Sequence, residues 1–262
     1  IQAFSQVSAI LAPLIAGFVM AVLGGMNVQS IRPLFYTQFI GLSVLCLYAY
    51  RKIQDAPQIK TVQLKRKFIS DFKEVFKNGV GLKRFILARC LMGFLDAFVG
   101  PFTMVFAAEI KKADALNIGF MVTALNLVGI IVAIPLGRFS DRFGRKRLIY
   151  MQQLSLCVQY FLLIFAPANE LTYLILGWAI SGINMGGMGW STMMMEMVPT
   201  EQRGRWSGIL QLFNGIAMVP ASIIGGFLWA RFAPELPFIV YIIASSFILI
   251  PLLATVPETL KR

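Results

Sequence analysis

GRFSDRFGRKR, residues 137–147, separates two long apolar runs of the chain. This stretch holds five cations and one acid in eleven residues, with a glycine near each end. A connection this short between two membrane-length helices has little room for structure of its own. Its charges therefore indicate which membrane face is cytoplasmic, and they need partners nearby.

Composition indicates a membrane protein independently of that stretch. The chain is 58% apolar, its mean hydropathy is +0.74 and 14% of its residues are charged, whereas about 25% are charged in a soluble domain. We predict an all-α transmembrane fold with spans of about 20 residues, the length that crosses the hydrocarbon layer. The eight predicted spans are residues 3–23, 33–50, 85–106, 118–136, 148–165, 171–197, 208–229 and 238–253.

The positions of lysine and arginine predict the orientation. Nineteen of the 24 lie in residues 51–84, in the stretch 137–147, at positions 203 and 205, or at the last two positions. By the positive-inside rule these segments are cytoplasmic, so both chain ends lie on the cytoplasmic side of what we expect to be the plasma membrane. The net charge of +12 is thus a topology signal, and we expect no nucleic-acid partner because the cations are dispersed among membrane loops.

The longest polar segment, residues 51–84, divides the chain into residues 1–50, with two spans, and residues 85–262, with six. Within it, Phe68, Phe72 and Phe76 recur at helical spacing, which is typical of an amphipathic helix in the headgroup region. A solvated basic linker explains the same segment equally well.

The stretch 137–147 closely resembles the signature loop of the major facilitator superfamily, G-x-x-x-D-R-x-G-R-[KR]-[KR]. The resemblance implies that the residues at its first five specified positions belong to a cytoplasmic gate; they are Gly137, Asp141, Arg142, Gly144 and Arg145. Members of this family have twelve spans in two related halves joined by a long cytoplasmic linker. The chain therefore resembles helices five to twelve of such a transporter, the C-terminal portion of its fold, with the first four helices absent.

EMVPTEQRG, residues 196–204, resembles the E-x-x-P-x-x-x-R-G segment of sugar porters. By this resemblance we expect Asp141, Arg145, Glu196 and Arg203 to form a cytoplasmic latch that favours one access state. Acids and cations at one partly buried face stabilise each other better as a network than as isolated pairs. Charges that only set the topology are the alternative.

Two further resemblances point in different directions. APLIAGF, residues 12–18, resembles a degraded G-P-x-x-G-G segment of drug:proton antiporters, which favours efflux. PETLK, residues 257–261, resembles the ending after the last helix of sugar porters, and with residues 196–204 it favours uptake. This ending is short and adds little.

Asp96 lies near the middle of the third predicted span. A central aspartate costs about 2.5–3.5 kcal/mol to insert, so we expect it to face a cavity or a partner. The corresponding helix lines the transport path in the family that the chain resembles, which implies proton coupling or binding of a cationic substrate at Asp96. A structural carboxylate that pairs with a neighbouring helix, or with Arg89 two turns away, is the alternative.

Other polar residues within spans are weaker candidates for the transport path. Asn126, Asn184, Gln211 and Asn214 are amides, and Trp190 stands beside a glycine-rich run. We expect Asn184 to contact the substrate by a hydrogen bond and Trp190 to contact it as an aromatic wall. Each of these residues could equally serve as a contact between helices.

Several chemistries are excluded by missing residue types. The chain has no histidine, which excludes Ser-His-Asp and Cys-His nucleophiles and a histidine-based metal site. It has no G-x-x-x-x-G-K-[ST] motif, which excludes ATP hydrolysis by a P-loop. We therefore predict that the chain is not an enzyme and has no catalytic residues, metal or cofactor.

Together these patterns favour a secondary active transporter that moves a small solute by alternating access and is coupled to protons. Efflux of an amphipathic compound is favoured, and a symporter for uptake of a sugar or metabolite is the alternative. A non-transporting membrane scaffold or partial subunit is the alternative of another class. The predicted partners are the lipid bilayer, a small-molecule substrate and protons.

Overall fold

The computed structural model of the protein describes residues 2–52, 81–168, 170–186, 188–198, 200 and 203–259, with most side chains from residue 9 onward. The amphipathic segment predicted around Phe72 lies outside these ranges. All the elements described are helices. Their bounds in chain order are α1 Gln2–Val22, α2 Val28–Lys52, α3 Leu82–Val105, α4 Ala115–Phe143, α5 Arg145–Phe165, α6 Leu171–Gly186, α7 Gly189–Met197, α8 Arg203–Arg231, α9 Leu236–Ala244 and α10 Ile250–Ala254.

Two π-helical turns complete the long segments. Phe106–Ile110 extends α3, and Ser245–Leu249 joins α9 to α10. Within the described ranges, seven segments are long and apolar enough to cross a membrane, and α1 adds a helix of 21 residues that is apolar over Ala9–Val22. Each matches one predicted span, which confirms the all-α transmembrane fold.

The stretch 137–147 is not a loop, contrary to the prediction. α4 continues through Phe143 and α5 begins at Arg145, so Gly144 alone connects the two helices. The apolar run marks where the hydrocarbon layer ends, whereas a helix continues for as long as its backbone hydrogen bonds are made. Gly144 ends α4 because its φ of 107° and ψ of 155° lie in a region essentially open only to glycine.

Small residues let neighbouring helices approach closely. A Cβ built on Gly182 of α6 would lie 2.6 Å from the carbonyl oxygen of Leu125 in α4. A Cβ on Gly17 of α1 would lie 2.7 Å from the carbonyl oxygen of Ala115, at the start of α4. Any larger side chain would push these helices apart, so glycine sets the spacing of α1, α4 and α6.

Lys111 ties α3 to α5 at the end of the bundle opposite Gly144. It is 8% exposed, and its ammonium donates to the carbonyl oxygens of Ile164 at 2.8 Å and Ala166 at 2.5 Å. Burial lowers the pKa of Lys111 from its ordinary value, and nearby Glu235 opposes that shift. The contact satisfies carbonyl groups that the end of α5 leaves unpaired and places a cation at the negative end of its dipole.

Candidate functional site

A cavity of about 400 Å³ lies between α3, α5, α6, α7 and α8. Small-molecule sites have volumes of about 300–1,000 Å³. Three of the helices around the cavity, α3, α5 and α7, each have one end near Gly144. Counted from that end, the residues seven positions into the helix are Arg89, Gln152 and Trp190. We call this end of the bundle the loop face. At 1.5 Å per residue, the three side chains enter the cavity about 10 Å in from that face.

α3 contributes one continuous stripe to the cavity wall, formed by Phe85, Arg89, Met92 and Asp96. Intervals of four, three and four residues keep side chains on one face of a helix. Asp96 is near the middle of the 29-residue segment Leu82–Ile110. The structure thus places this carboxylate on the cavity and near the centre of its span.

α8 packs beside α3 and supplies the neighbouring part of the wall, which includes Gln211 and Asn214. Asn214 fits against α3 at Gly93, where a Cβ would collide with the side-chain oxygen of Asn214. That oxygen is buried and has no hydrogen-bond donor among the residues described. Gly93 therefore leaves room for an amide one turn away from Asp96.

Trp190, at the start of α7, and Asn184, in α6, complete the wall. The Trp190 ring lies 5.8 Å from that of Phe85, and the Arg89 guanidinium lies 5.8 Å from the Trp190 ring centre. The indole Nε1 of Trp190 is buried without an acceptor in the part of the chain that the structure describes. The backbone oxygen of Asn184 accepts from Gln152 Nε2 at 2.9 Å, so α5 is tied to α6 beside the cavity.

Arg89 and Asp96 carry opposite charges on the same cavity without forming an ion pair. Across the described ranges, neither side chain has an ion-pair or hydrogen-bond partner. Seven residues separate them, about 10 Å along the helix axis, so the alternative of a direct pair is not formed. An ionised group inside a membrane protein requires a water-filled cavity or a partner. Within the described residues, Arg89 and Asp96 therefore face the cavity without a bonded partner.

Asn126 lies away from this cavity. It is 9% exposed, and its amide nitrogen donates to the carbonyl oxygens of Ala9 in α1 at 2.9 Å and Val122 at 3.0 Å. Thr123 donates to the Ile10 carbonyl oxygen at 3.1 Å in the same contact. The structure thus places Asn126 between α1 and α4, where it joins two helices.

A charge network lies at the loop face, and Arg145 is its centre. The Arg145 guanidinium donates to Asp141 at 2.5 Å and to Ser140 Oγ at 2.9 Å. Its Nε and Nη2 both donate to Glu196 Oε1, at 3.1 and 3.0 Å. The Arg145 side chain is 13% exposed and that of Glu196 31%, so this contact is partly screened by solvent. One arginine thus joins the end of α4, the start of α5 and the end of α7.

Glu258 and Thr259 belong to the same charge network, although the sequence gives their segment little weight. Glu258 accepts from the backbone N–H of Arg145 at 3.0 Å and that of Lys146 at 3.2 Å. These are the first N–H groups of α5, which the helix itself leaves unpaired and which attract an anion. Thr259 donates to the second oxygen of Glu196 at 2.5 Å. The segment after α10 is therefore bonded to both α5 and α7.

The structure brings together four of the predicted gate residues, Asp141, Gly144, Arg145 and Glu196, and separates the other three. Gly137 has open space around it. The Arg142 guanidinium lies 5.4 Å from the ring centre of Phe143. Arg203 donates through Nε to the carbonyl oxygen of Val198 at 3.4 Å, at the break between α7 and α8.

Comparison with known families gives one match. Residues 85–262 match the family model described as Major Facilitator Superfamily. The matched part is more than half of the chain, and it contains every residue that lines the cavity and every member of the charge network.

Individual relatives match over shorter lengths. The chain is 31% identical over 154 residues to the tetracycline resistance protein, class E, of Escherichia coli, which covers 56% of the chain and 37% of that protein. It is 30% identical over 153 residues to the class H protein of Pasteurella multocida, with 58% and 38% covered. It is 28% identical over 126 residues to the vacuolar membrane amino acid uptake transporter fnx2 of Schizosaccharomyces pombe, with 47% and 22% covered. The matches therefore span less than two fifths of each relative.

Proposed function

The chain belongs to the major facilitator superfamily, and we propose that it works as a secondary transporter that moves a small solute by alternating access. The observation that carries this proposal is the cavity between five helices, with a mid-span carboxylate on its wall. Members of the family are multi-pass membrane transporters and not enzymes. This agrees with the prediction from the sequence that the chain is not an enzyme.

Asp96 is the proton-coupling group in this proposal. A carboxylate in the middle of a span carries a charge that protonation removes, so its two forms differ strongly in their interaction with the surroundings. When alternating access turns the cavity from one membrane face to the other, Asp96 equilibrates with each side in turn. A pH gradient can then drive the solute in one direction.

The charge network is the gate. It joins α4, α5, α7 and the segment after α10 at the loop face, and these contacts must loosen when the loop face opens. Asp141, Gly144, Arg145 and Glu196 have this role on the strength of their contacts. We assign the gate role to the other three predicted residues from the family resemblance alone; they are Gly137, Arg142 and Arg203.

Efflux of an amphipathic compound is the favoured direction. Two of the relatives are resistance proteins by name, and a transporter protects a cell by removing the toxic compound. Uptake of a sugar or metabolite is the second candidate, which the uptake transporter among the relatives favours. The distribution of cations further supports a plasma-membrane location with both chain ends cytoplasmic.

The domain organisation in this proposal follows the family pattern. Residues 1–50 supply the last two helices of the N-terminal half, residues 51–84 the cytoplasmic linker, and residues 85–262 the six helices of the C-terminal half. A membrane scaffold with the same helices would bind its partners without moving a solute, so flux separates the two classes of function.

The experiment is solute flux in proteoliposomes that contain the complete protein, with tetracycline as the first probe. We expect an imposed pH gradient to accelerate flux in the native protein and in Asp96→Glu, which keeps the acid. Asp96→Asn should lose this acceleration. Flux that is independent of the pH gradient would contradict proton coupling. If tetracycline, sugars and amino acids all fail to move, the result would favour the scaffold.

A further inference from the structure

Arg89 is a charged residue of the cavity that proton coupling does not use. It lies on the same stripe of α3 as Asp96, and its contact in the described structure is the face of the Trp190 ring. A cation on the wall of a cavity attracts an anionic ligand that is small enough to fit the cavity.

We propose that Arg89 is the anion-binding pole of the cavity and that the substrate is zwitterionic, with its acidic group on Arg89 and its basic group on Asp96. This inference rests on the proposed function, because it names the substrate class of the transport cavity. The substrate's two charges then lie about 10 Å apart, the rise of seven residues along a helix.

The Arg89 end of the cavity is rich in hydrogen-bond donors. The Arg89 guanidinium lies 5.8 Å from the centre of the Trp190 ring, and its N–H groups can bind a carboxylate or phosphate in pairs. The Nε1–H of Trp190 is buried and adds no donor that a ligand can reach. An acidic group placed here meets several donors and no competing carboxylate among the residues that line the cavity near Arg89.

The Asp96 end supplies the acceptor. The Asp96 carboxylate lines the cavity and can accept from an ammonium group, whereas the oxygen of Asn214 is buried against Gly93, one turn of α3 earlier. Donors are thus concentrated at one end of the stripe and acceptors at the other. A molecule with a single charge satisfies one end and leaves the other charge unmatched, which costs free energy in a partly desolvated site.

Three probes with one carbon skeleton test this inference by calorimetric binding to the complete purified protein. Para-(aminobutyl)benzoate carries both charges, its methyl ester carries only the ammonium, and para-butylbenzoate carries only the carboxylate. We expect the native protein to bind the zwitterion about ten- to hundredfold more tightly than either other probe. Arg89→Gln should weaken binding of the zwitterion and bring the zwitterion and the ester to about equal affinity, whereas Arg89→Lys should retain part of the preference.

Comparing the three probes on the native protein tests the inference even if a variant does not fold. Equal binding of zwitterion and ester, or no binding of any probe, would overturn the inference, as would an equal loss of both probes in Arg89→Gln. Gradient-driven flux of tetracycline through Asp96 would still support the proposed function in each of those cases. The two proposals therefore fail separately.

Discussion

The charge network at the loop face and the cavity about 10 Å deeper both contain an arginine and a carboxylate, but they match these charges differently. At the loop face, Arg145 donates to Asp141 and Glu196 at once, and Glu258 accepts from the start of α5. In the cavity, Arg89 has the ring of Trp190 as its neighbour. Within the described residues, Asp96 has no ion-pair partner at all.

In our proposal, this difference separates charges that stabilise one conformation from charges that act on a ligand. A matched network lowers the free energy of the state that contains it and must be broken to leave that state. A charge in the membrane without an ion-pair partner raises the free energy of the empty site and is relieved by a proton or a counter-charge. The proposal thus assigns the same residue types to a gate in one place and to a binding site in the other.

The largest stability loss is expected for Arg145→Gln, which leaves the carboxylates of the charge network without their cation. Removing one partner of a buried pair costs about 3–5 kcal/mol, and we expect about 2–3 kcal/mol because Glu196 is 31% exposed. Arg142→Gln is the control, since Arg142 faces a phenyl ring. Thermal unfolding in detergent should show a clearly lower midpoint for the first variant alone; equal midpoints would remove Arg145 from the centre of the network.

A matched pair of glycine variants tests how the charge network is assembled. Gly144→Ala forces a side chain into a glycine-only conformation, at about 1–3 kcal/mol, and places its Cβ 2.7 Å from Glu258. Gly137→Ala meets open space inside a helix and should be neutral or stabilising by up to about 1 kcal/mol. If thermal unfolding ranks the two variants the other way round, Gly144 is not required at the junction of α4 and α5.

Glu258→Gln should have a smaller effect, because one amide oxygen still accepts from the start of α5, while the charge and the second acceptor oxygen are lost. We expect a loss of about 0.5–1 kcal/mol that shrinks at high salt. Glu170→Gln is the control, since Glu170 is exposed at the other end of the bundle. A loss that is insensitive to salt would show that Glu258 acts by shape and not by charge.

The smallest effect is expected for Asp141→Asn, although this residue fills a specified position of the signature motif. Its side chain is 71% exposed, so solvent screens the contact with Arg145 and the stability loss should be about 0–1 kcal/mol. Chemical unfolding of the variant checks the value. A loss as large as that of Arg145→Gln would mean that Asp141 is as important to the charge network as its arginine.

The helical spans could be predicted from the sequence because apolar length is set by the membrane itself. The largest difference in a helix end is at α4, where the predicted span stops at residue 136 and the helix continues to Phe143. Polar residues end a hydrophobic run, whereas only the backbone geometry of Gly144 ends the helix.

The site could be predicted only in part, for a physical reason. Asp96, Asn184 and Trp190 are polar residues within spans and meet at the cavity. Asn126 is also a polar residue within a span, but its amide donates to α1. A polar group in a membrane needs a partner, and that partner can be another helix instead of a substrate. Glu258 lies 113 residues from the helix start that it caps, and the signal for it was the short PETLK ending.

The most direct test compares gradient-driven accumulation of tetracycline with its exchange at equal pH, in Asp96→Asn and Glu196→Gln proteoliposomes. We predict that Asp96→Asn loses the response to the gradient while exchange persists at lower affinity. Glu196→Gln should keep the response and change only the rate, because it alters the gate and not the coupling site. A full response to the gradient in Asp96→Asn would contradict the division between matched charges that gate and unmatched charges that couple.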